Sequence, residues 1–401
     1  MAYAAPETTA KLDLNQVFKE VERNNPELAG LRSRAEATSF DVTAEPILPP
    51  PVFEVNSMGS QGPFVGDGHM ETSYRIKQEL IFPTKFLARK DALSHMSEGA
   101  AYSRDARLLE LRAEAKKAYV DYWASGARIS LIEQRSEIIL AHSRRLKSAP
   151  LSTKLQQAHI VAAETDHDLA QAELEEVRQG LAVARGTLNT LMGKDPNGEL
   201  AQASEPPISE LPPVPRADES QALIARHPKV LSLSSEVLVQ ESMRSAARSE
   251  YFPNLMVEYW NNRRFDNTPN TSELMVGVSV PFLYFWQPRA MAQAAGARVV
   301  EKEAQLTQAK NEFKLRLLKE YATLASLRAQ SLAYEKKILP GAAKRLKISH
   351  SLAPTDMESL TEHRESMESE VNLRLKALEI RSNYEKSFAD YEALVGGGGK
   401  Q

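Results

Sequence analysis

Asn24-Asn25-Pro26-Glu27-Leu28 returns 202 residues later as Arg226-His227-Pro228-Lys229-Val230. The echo does not stand alone. Pro51-Val52-Phe53-Glu54-Val55 is answered at the same shift by Pro253-Asn254-Leu255-Met256-Val257. Phe82 and Arg89 have counterparts in Phe282 and Arg289, and Ala149-Pro150 with His159 in Ala353-Pro354 with His363. No single pairing is specific, but four in one order at a nearly constant shift mark an internal duplication, which governs every later assignment.

Working outward from these anchors, each copy has the same plan. A helical segment over 13–45 stops at Pro46, and Pro49-Pro50-Pro51 keeps the chain extended. Strand-like runs follow at 51–59 and 72–82, then a long helix over 84–147, a turn at Ala149-Pro150-Leu151-Ser152, and a helix over 153–192 closed by Gly193 as a left-handed cap. The second copy gives helix 217–250, strands 254–263 and 272–282, helix 288–349, a turn at Ala353-Pro354 and helix 356–395. Pro340-Gly341 predicts a kink near the far end of helix 288–349. The domains are therefore a tail at 1–12, a first repeat at 13–194 with its hairpin at 51–82 and helix tip at 149–153, and a linker at 195–216. A second repeat follows at 217–395, with its hairpin at 254–282 and tip at 353–357, then a flexible tail at 396–401. Six prolines and the lack of apolar periodicity predict that the linker lies extended on the surface.

Composition narrows the function classes. The chain has 401 residues and a net charge of only −3, without the basic excess that tracks phosphates, so no nucleic-acid partner is expected. With no cysteine, thiolate zinc sites, disulfides and cysteine nucleophiles are excluded. No run of 18 apolar residues occurs, which speaks against a membrane helix but not against membrane strands, whose hydropathy signal is weak. Ala2-Tyr3-Ala4 has the small-x-small form of a signal-peptidase site, which suggests a secreted chain.

The helices carry narrow seams. Leu108, Leu111, Ala115, Ala118 and Tyr122 step by three and four, as do Leu174, Val177, Leu181, Ala184, Leu188 and Leu191. At 1.5 Å per residue, helix 84–147 would span roughly 95 Å, a length that two shorter helices match end to end. Helices left polar on two sides fit a wall with water on both. The strands alternate: Tyr74, Ile76 and Leu80 against Arg75, Lys77 and Glu79, and Leu274, Val276 and Val278 against Met275, Gly277 and Ser279. Runs of about 9–11 residues cross a bilayer when tilted. Tyr74, Phe82, Tyr259, Trp260, Phe282 and Trp286 gather near strand ends and fit interfacial girdles. A water-soluble sheet packed on helices alternates in the same way, which keeps a soluble coiled-coil scaffold as the rival reading. In a membrane, four strands cannot close and open edges cannot face lipid, so three chains are needed for 12 strands and a 12-helix wall.

At this point the sequence resembles the outer-membrane efflux factor family, the TolC-like channels. Leu12-Asp13-Leu14 leading into Asn24-Asn25-Pro26-Glu27-Leu28, Gln78-Glu79-Leu80-Ile81-Phe82-Pro83-Thr84-Lys85, and Leu188-Asn189-Thr190-Leu191-Met192-Gly193 carry the resemblance, which covers nearly all of 12–395. Length and the Phe82-Pro83-x-Lys85 element look closest to the heavy-metal-efflux branch, although Thr84 stands where that branch usually has glycine. The fold implied is mainly α with membrane β: a duplicated helix–β-hairpin–long helix–helix repeat, trimerising into a 12-stranded β-barrel and a 12-helix α-barrel. The role implied is a passive exit duct in the bacterial outer membrane with a long periplasmic extension. An inner-membrane efflux pump and a periplasmic adaptor protein would feed it metal ions or small toxic compounds. Type I secretion is the alternative within the same class. The adaptor is expected to dock at the tips, on Pro150, Leu151, Ser152, Pro354 and Thr355. Asp356, Glu358, Glu362 and Glu365 are candidates for acidic rings that select cations, although acids also favour any helix start.

No enzyme signature is present: the sequence has no P-loop, no G-x-S-x-G and no H-E-x-x-H. No cofactor or metal site is expected. His159 and His167 are eight apart, too far for a compact chelate, and Met243, Met256, Met275 and Met291 suit packing better than copper.

Overall fold

The computed structural model describes residues 11–58, 71–148, 154–264, 268–279, 286–351 and 357–396. Its elements run α1 (Leu14–Asn24), α2 (Pro26–Ala44), β1 (Val52–Met58), β2 (Glu71–Leu80), α3 (Pro83–Ser148) and α4 (Lys154–Leu191). The order then repeats as α5 (Ala217–Arg226), α6 (Pro228–Ser249), β3 (Leu255–Arg264), β4 (Thr271–Val278), α7 (Trp286–Ala333), a π turn (Tyr334–Ile338), α8 (Leu339–Ser351) and α9 (Met357–Val395). Contacts divide the chain into two compact units. The first comprises Met1–Gly30, Ala106–His227 and Glu312–Gln401; the second comprises Leu31–Asp105 and Pro228–Asn311.

In the first unit the duplicated motif explains itself physically. The helix expected over 13–45 is two helices, because Pro26 disfavours a helical residue before it and Asn25 takes an extended conformation, φ −65° and ψ 121°. Asn25 turns that break into a tie. Its Oδ1 accepts the Leu28 N–H at 3.1 Å, capping α2, while its Nδ2 donates to the Leu191 carbonyl at 2.9 Å, satisfying the end of α4. The second copy repeats the device. His227 breaks helix 217–250 before Pro228, and its Nε2 lies 3.1 Å from the Ala393 carbonyl near the end of α9. Asp13 starts α1 with a capping box closed by Gln16.

Val17, Val21, Leu28, Leu111, Tyr119, Leu188 and Met192 form one core cluster of the unit, and Leu317, Leu324, Tyr384, Tyr391 and Leu394 a second. The linker is not wholly superficial. Leu12 and Ala203 pair as a parallel bridge, Ala203 is buried, and the Tyr119 hydroxyl donates toward the carbonyls of Leu12 at 3.0 Å and Ser204 at 2.7 Å. Further along, Ser209 donates its N–H and its hydroxyl to the two carboxylate oxygens of fully buried Glu385, at 2.8 and 2.7 Å. Gln202, Glu205, Pro207 and Ile208 stay exposed, so this stretch runs along the surface but is tied into it at Ala203 and Ser209: a proline-rich segment has few N–H donors, and buried partners satisfy some of those it keeps.

At Pro340, the site of the expected kink, the helix changes type locally. Proline's missing N–H and its clash with the carbonyl four residues back are absorbed by the π turn just upstream, where the Leu339 N–H reaches Tyr334, and helix resumes over Leu339–Ser351.

In the second unit the four strands form one antiparallel sheet in the order β1-β2-β3-β4. The two copies meet at β2 and β3, paired over their full lengths from Glu71↔Arg264 to Leu80↔Leu255. The Phe82-Pro83-Thr84-Lys85 element sits beside the sheet: Phe82 stacks on Phe252 with centroids 4.6 Å apart, and buried Lys85 pairs with Glu250 at 3.0 Å. Together these fix the start of α3 against the end of α6.

Candidate functional site: a sheet with one uncovered apolar face

Register assigns each strand residue to a face, because paired residues share one. Phe53↔Ile76, Ile76↔Tyr259 and Tyr259↔Leu274 form one row; Val55↔Tyr74, Val257↔Val276 and Leu255↔Val278 extend the same face. This face is apolar and open. Leu274 is 69% and Val276 62% exposed, and Phe53 reaches 70%. A self-contained soluble sheet would bury that row under its own helices, whereas here the row is left for something outside the chain to cover. The opposite face carries Glu54, Arg75, Lys77, Glu79, Glu258 and Glu273. On it Arg75 lies 2.9 Å from Glu54 and 3.4 Å from Glu258. Among the described residues β1 and β4 each pair with one neighbour within the chain, leaving two outer edges.

The predicted aromatics divide. Tyr74 and Tyr259 lie exposed on the apolar face. Trp260 does not. It is one residue out of phase with Tyr259, pairs with Arg75 and Glu273 on the charged face, and carries the Arg75 guanidinium 3.5 Å from its ring centroid. Its assignment to a lipid-facing girdle is corrected accordingly. Phe82 is packed on Phe252 beyond β2, Trp286 opens α7 and is exposed, and Phe282 falls outside the described residues. So do Pro150, Leu151, Ser152, Pro354, Thr355 and Asp356, as does the side chain of Glu358. Glu362 and Glu365 stand exposed early in α9. Among the described residues no helix is long and apolar enough to cross a membrane, and no group of three or more His, Asp or Glu is placed to hold a metal ion.

A second cluster escaped the sequence reading. His142 on α3 is buried to 7% exposure, and Arg364, His159 and Arg145 act on it. Burial first, then those positive neighbours, push its pKa down to about 4. His363, near His350 and Arg145, is shifted in the same direction, again chiefly by burial. Residues 142, 159, 350 and 363 lie on four helices, and only the paired turns of the two repeats hinted that they meet.

No protein-family profile and no curated protein matches the sequence. Solved structures do. The open state of the MtrE outer-membrane channel of Neisseria gonorrhoeae superposes with a TM-score of 0.82 at 18% identity, covering 96% of this chain and 89% of that one. CusC, described in connection with transmembrane channel formation, gives 0.80 at 15% identity over 99% and 96%. The outer-membrane protein VceC of Vibrio cholerae gives 0.73 at 14% over 96% and 97%. Duplicated long helices, a four-stranded sheet shared between the copies and near-complete mutual coverage lead to one assignment: the chain has the TolC-like fold of the outer-membrane channels.

Proposed function

We propose that the chain is one protomer of a trimeric exit duct in the bacterial outer membrane. Its sheet would contribute to a 12-stranded barrel and its helices to a 12-helix periplasmic tunnel. The observation that carries this reading is the uncovered apolar face on a sheet with two outer edges. Lipid accommodates such a face and ring closure removes such edges, whereas water tolerates neither. The charged face with Arg75, Lys77, Glu54 and Glu258 then lines a wet lumen. Light scattering tests this first. In mild detergent the protein is expected to run as three copies of the 44.6 kDa chain and to aggregate without detergent. A monodisperse monomer in plain buffer would refute the duct.

Transport through such a tunnel is diffusive, so an energised inner-membrane pump and a periplasmic adaptor supply direction. We place the adaptor at the two tips, on Pro150, Leu151, Ser152, Pro354 and Thr355. Metal ions and small toxic compounds are the proposed cargo, and similarity spread over several channels favours no single branch. Glu362 and Glu365, exposed on α9, would form rings of three carboxylates each that favour cations. Replacing both by Gln should lower the cation-to-anion permeability ratio in planar bilayers by about twofold or more; an unchanged reversal potential would remove these residues from the selectivity assignment.

A further inference from the structure

A cavity of about 530 Å³ lies between α3, α8 and α9 in the first unit, the size of sites that hold small organic molecules. Its walls divide by chemistry. Ile138, Leu346, Leu360 and Met367 give an apolar surface. Arg145, Lys347 and Arg364 bring permanent positive charge, and His350 and His363 line it too, with ring centroids 5.4 Å apart. Glu370 is the single acidic residue in the lining, and its carboxylate is held 2.7 Å from Arg374, which is not part of the wall.

The positive groups are not equally engaged. Arg364 is paired with Asp166 at 3.3 Å and Glu368 at 3.1 Å, though its buried Nε–H meets no acceptor among the described residues. Arg145 and Lys347 have no ion-pair partner among the described residues. Two cations with no acidic partner among the described residues, set beside an apolar wall, complement a molecule with an apolar body and one negative end. Interactions with an ionised donor and acceptor are the stronger and more selective kind.

We propose that this cavity is a binding site for amphipathic organic monoanions, an apolar ring system carrying one sulfonate or carboxylate, with the anionic end on Arg145 and Lys347. The site lies wholly within one unit of one chain and does not rest on the duct reading.

The test is equilibrium dialysis of the full-length protein, in nonionic detergent micelles, against naphthalene-2-sulfonate, with naphthalene-2-sulfonamide as the uncharged isostere. One saturable site per chain is expected for the sulfonate. Arg145→Gln/Lys347→Gln should weaken it by about tenfold or more, the equivalent of one lost charge-assisted hydrogen bond. The sulfonamide should bind the native chain as weakly as the sulfonate binds the double variant. Ala343→Phe, which fills the cavity while keeping both cations, should abolish saturation. Far-UV circular dichroism confirms that each variant is folded; if Ala343→Phe is not, the double variant and the sulfonamide decide alone. Absence of saturable binding to the native chain overturns the proposal. Equal binding by the double variant or by the isostere, which is the pattern of mere partition into micelles, does the same.

Discussion

Gly193→Ala is expected to destabilise the first unit by about 3 kcal/mol, near the top of the range for single substitutions. Gly193 follows α4 with φ +70°, and the Lys194 N–H reaches the Asn189 carbonyl at 2.8 Å, closing the helix in a left-handed cap. An alanine there meets two separate penalties. The left-handed conformation itself costs about 1 kcal/mol for a residue with a Cβ. The new Cβ would also fall 2.3 Å from the Asn24 carbonyl oxygen and 3.0 Å from its carbon, backbone atoms that no rotamer change can withdraw. The duplicate supplies the control. Gly396 ends α9 with φ +88°, and a Cβ there meets nothing within 4 Å among the described residues. Gly396→Ala should therefore cost only about 1 kcal/mol. Denaturant titration of the helical signal compares the two, and equal losses would show that the contact with Asn24 is not a constraint.

Acidification should loosen the helices around His142, and the sign follows from its pKa. An unfolded chain protonates this imidazole near pH 6.5, whereas the folded chain resists protonation until about pH 4, because the ring is buried beside Arg364, His159 and Arg145. The stability is therefore complete above pH 6.5 and falls as pH drops toward the folded value, by about 3 kcal/mol in all. His363, also lowered, adds to the loss in the same direction. The melting temperature of the native protein should drop steeply between pH 7 and pH 4.5, and His142→Gln should flatten that slope. A variant as pH-sensitive as the native chain would place the acid response in the carboxylates instead.

How much of this was legible in the residues depends on the range of the interaction. The Gly193 cap was visible, because a glycine directly after an apolar-periodic run has a local cause. The strand faces were visible too, since alternation is a two-residue rule; the same rule, counted strictly from Tyr259, would have moved Trp260 to the charged face. Pro26 and Pro228 marked the helix breaks, yet the apolar period running through both sites concealed them. Other features lay out of reach. Glu385 receives Ser209 from 176 positions away, and the cavity draws Ile138, Leu346 and Met367 from three helices. No local pattern encodes which polar residue will be buried against which distant donor. The same holds for Asn25: its side chain reads as a helix cap, but its second bond, to Leu191, appears only once α4 has returned.

The seam between β2 and β3 bears on how such a ring would assemble. In the proposed trimer six hairpins close one barrel, and because each chain carries two of them, three of the six junctions are made within a chain. Those three form at an effective concentration on the order of millimolar that does not fall on dilution. Only the three β4-to-β1 junctions depend on encounter between chains. The tandem duplication thus lowers the molecularity of assembly from six to three. It also frees the two kinds of junction to diverge, one tuned for permanence inside the chain and the other for partner choice.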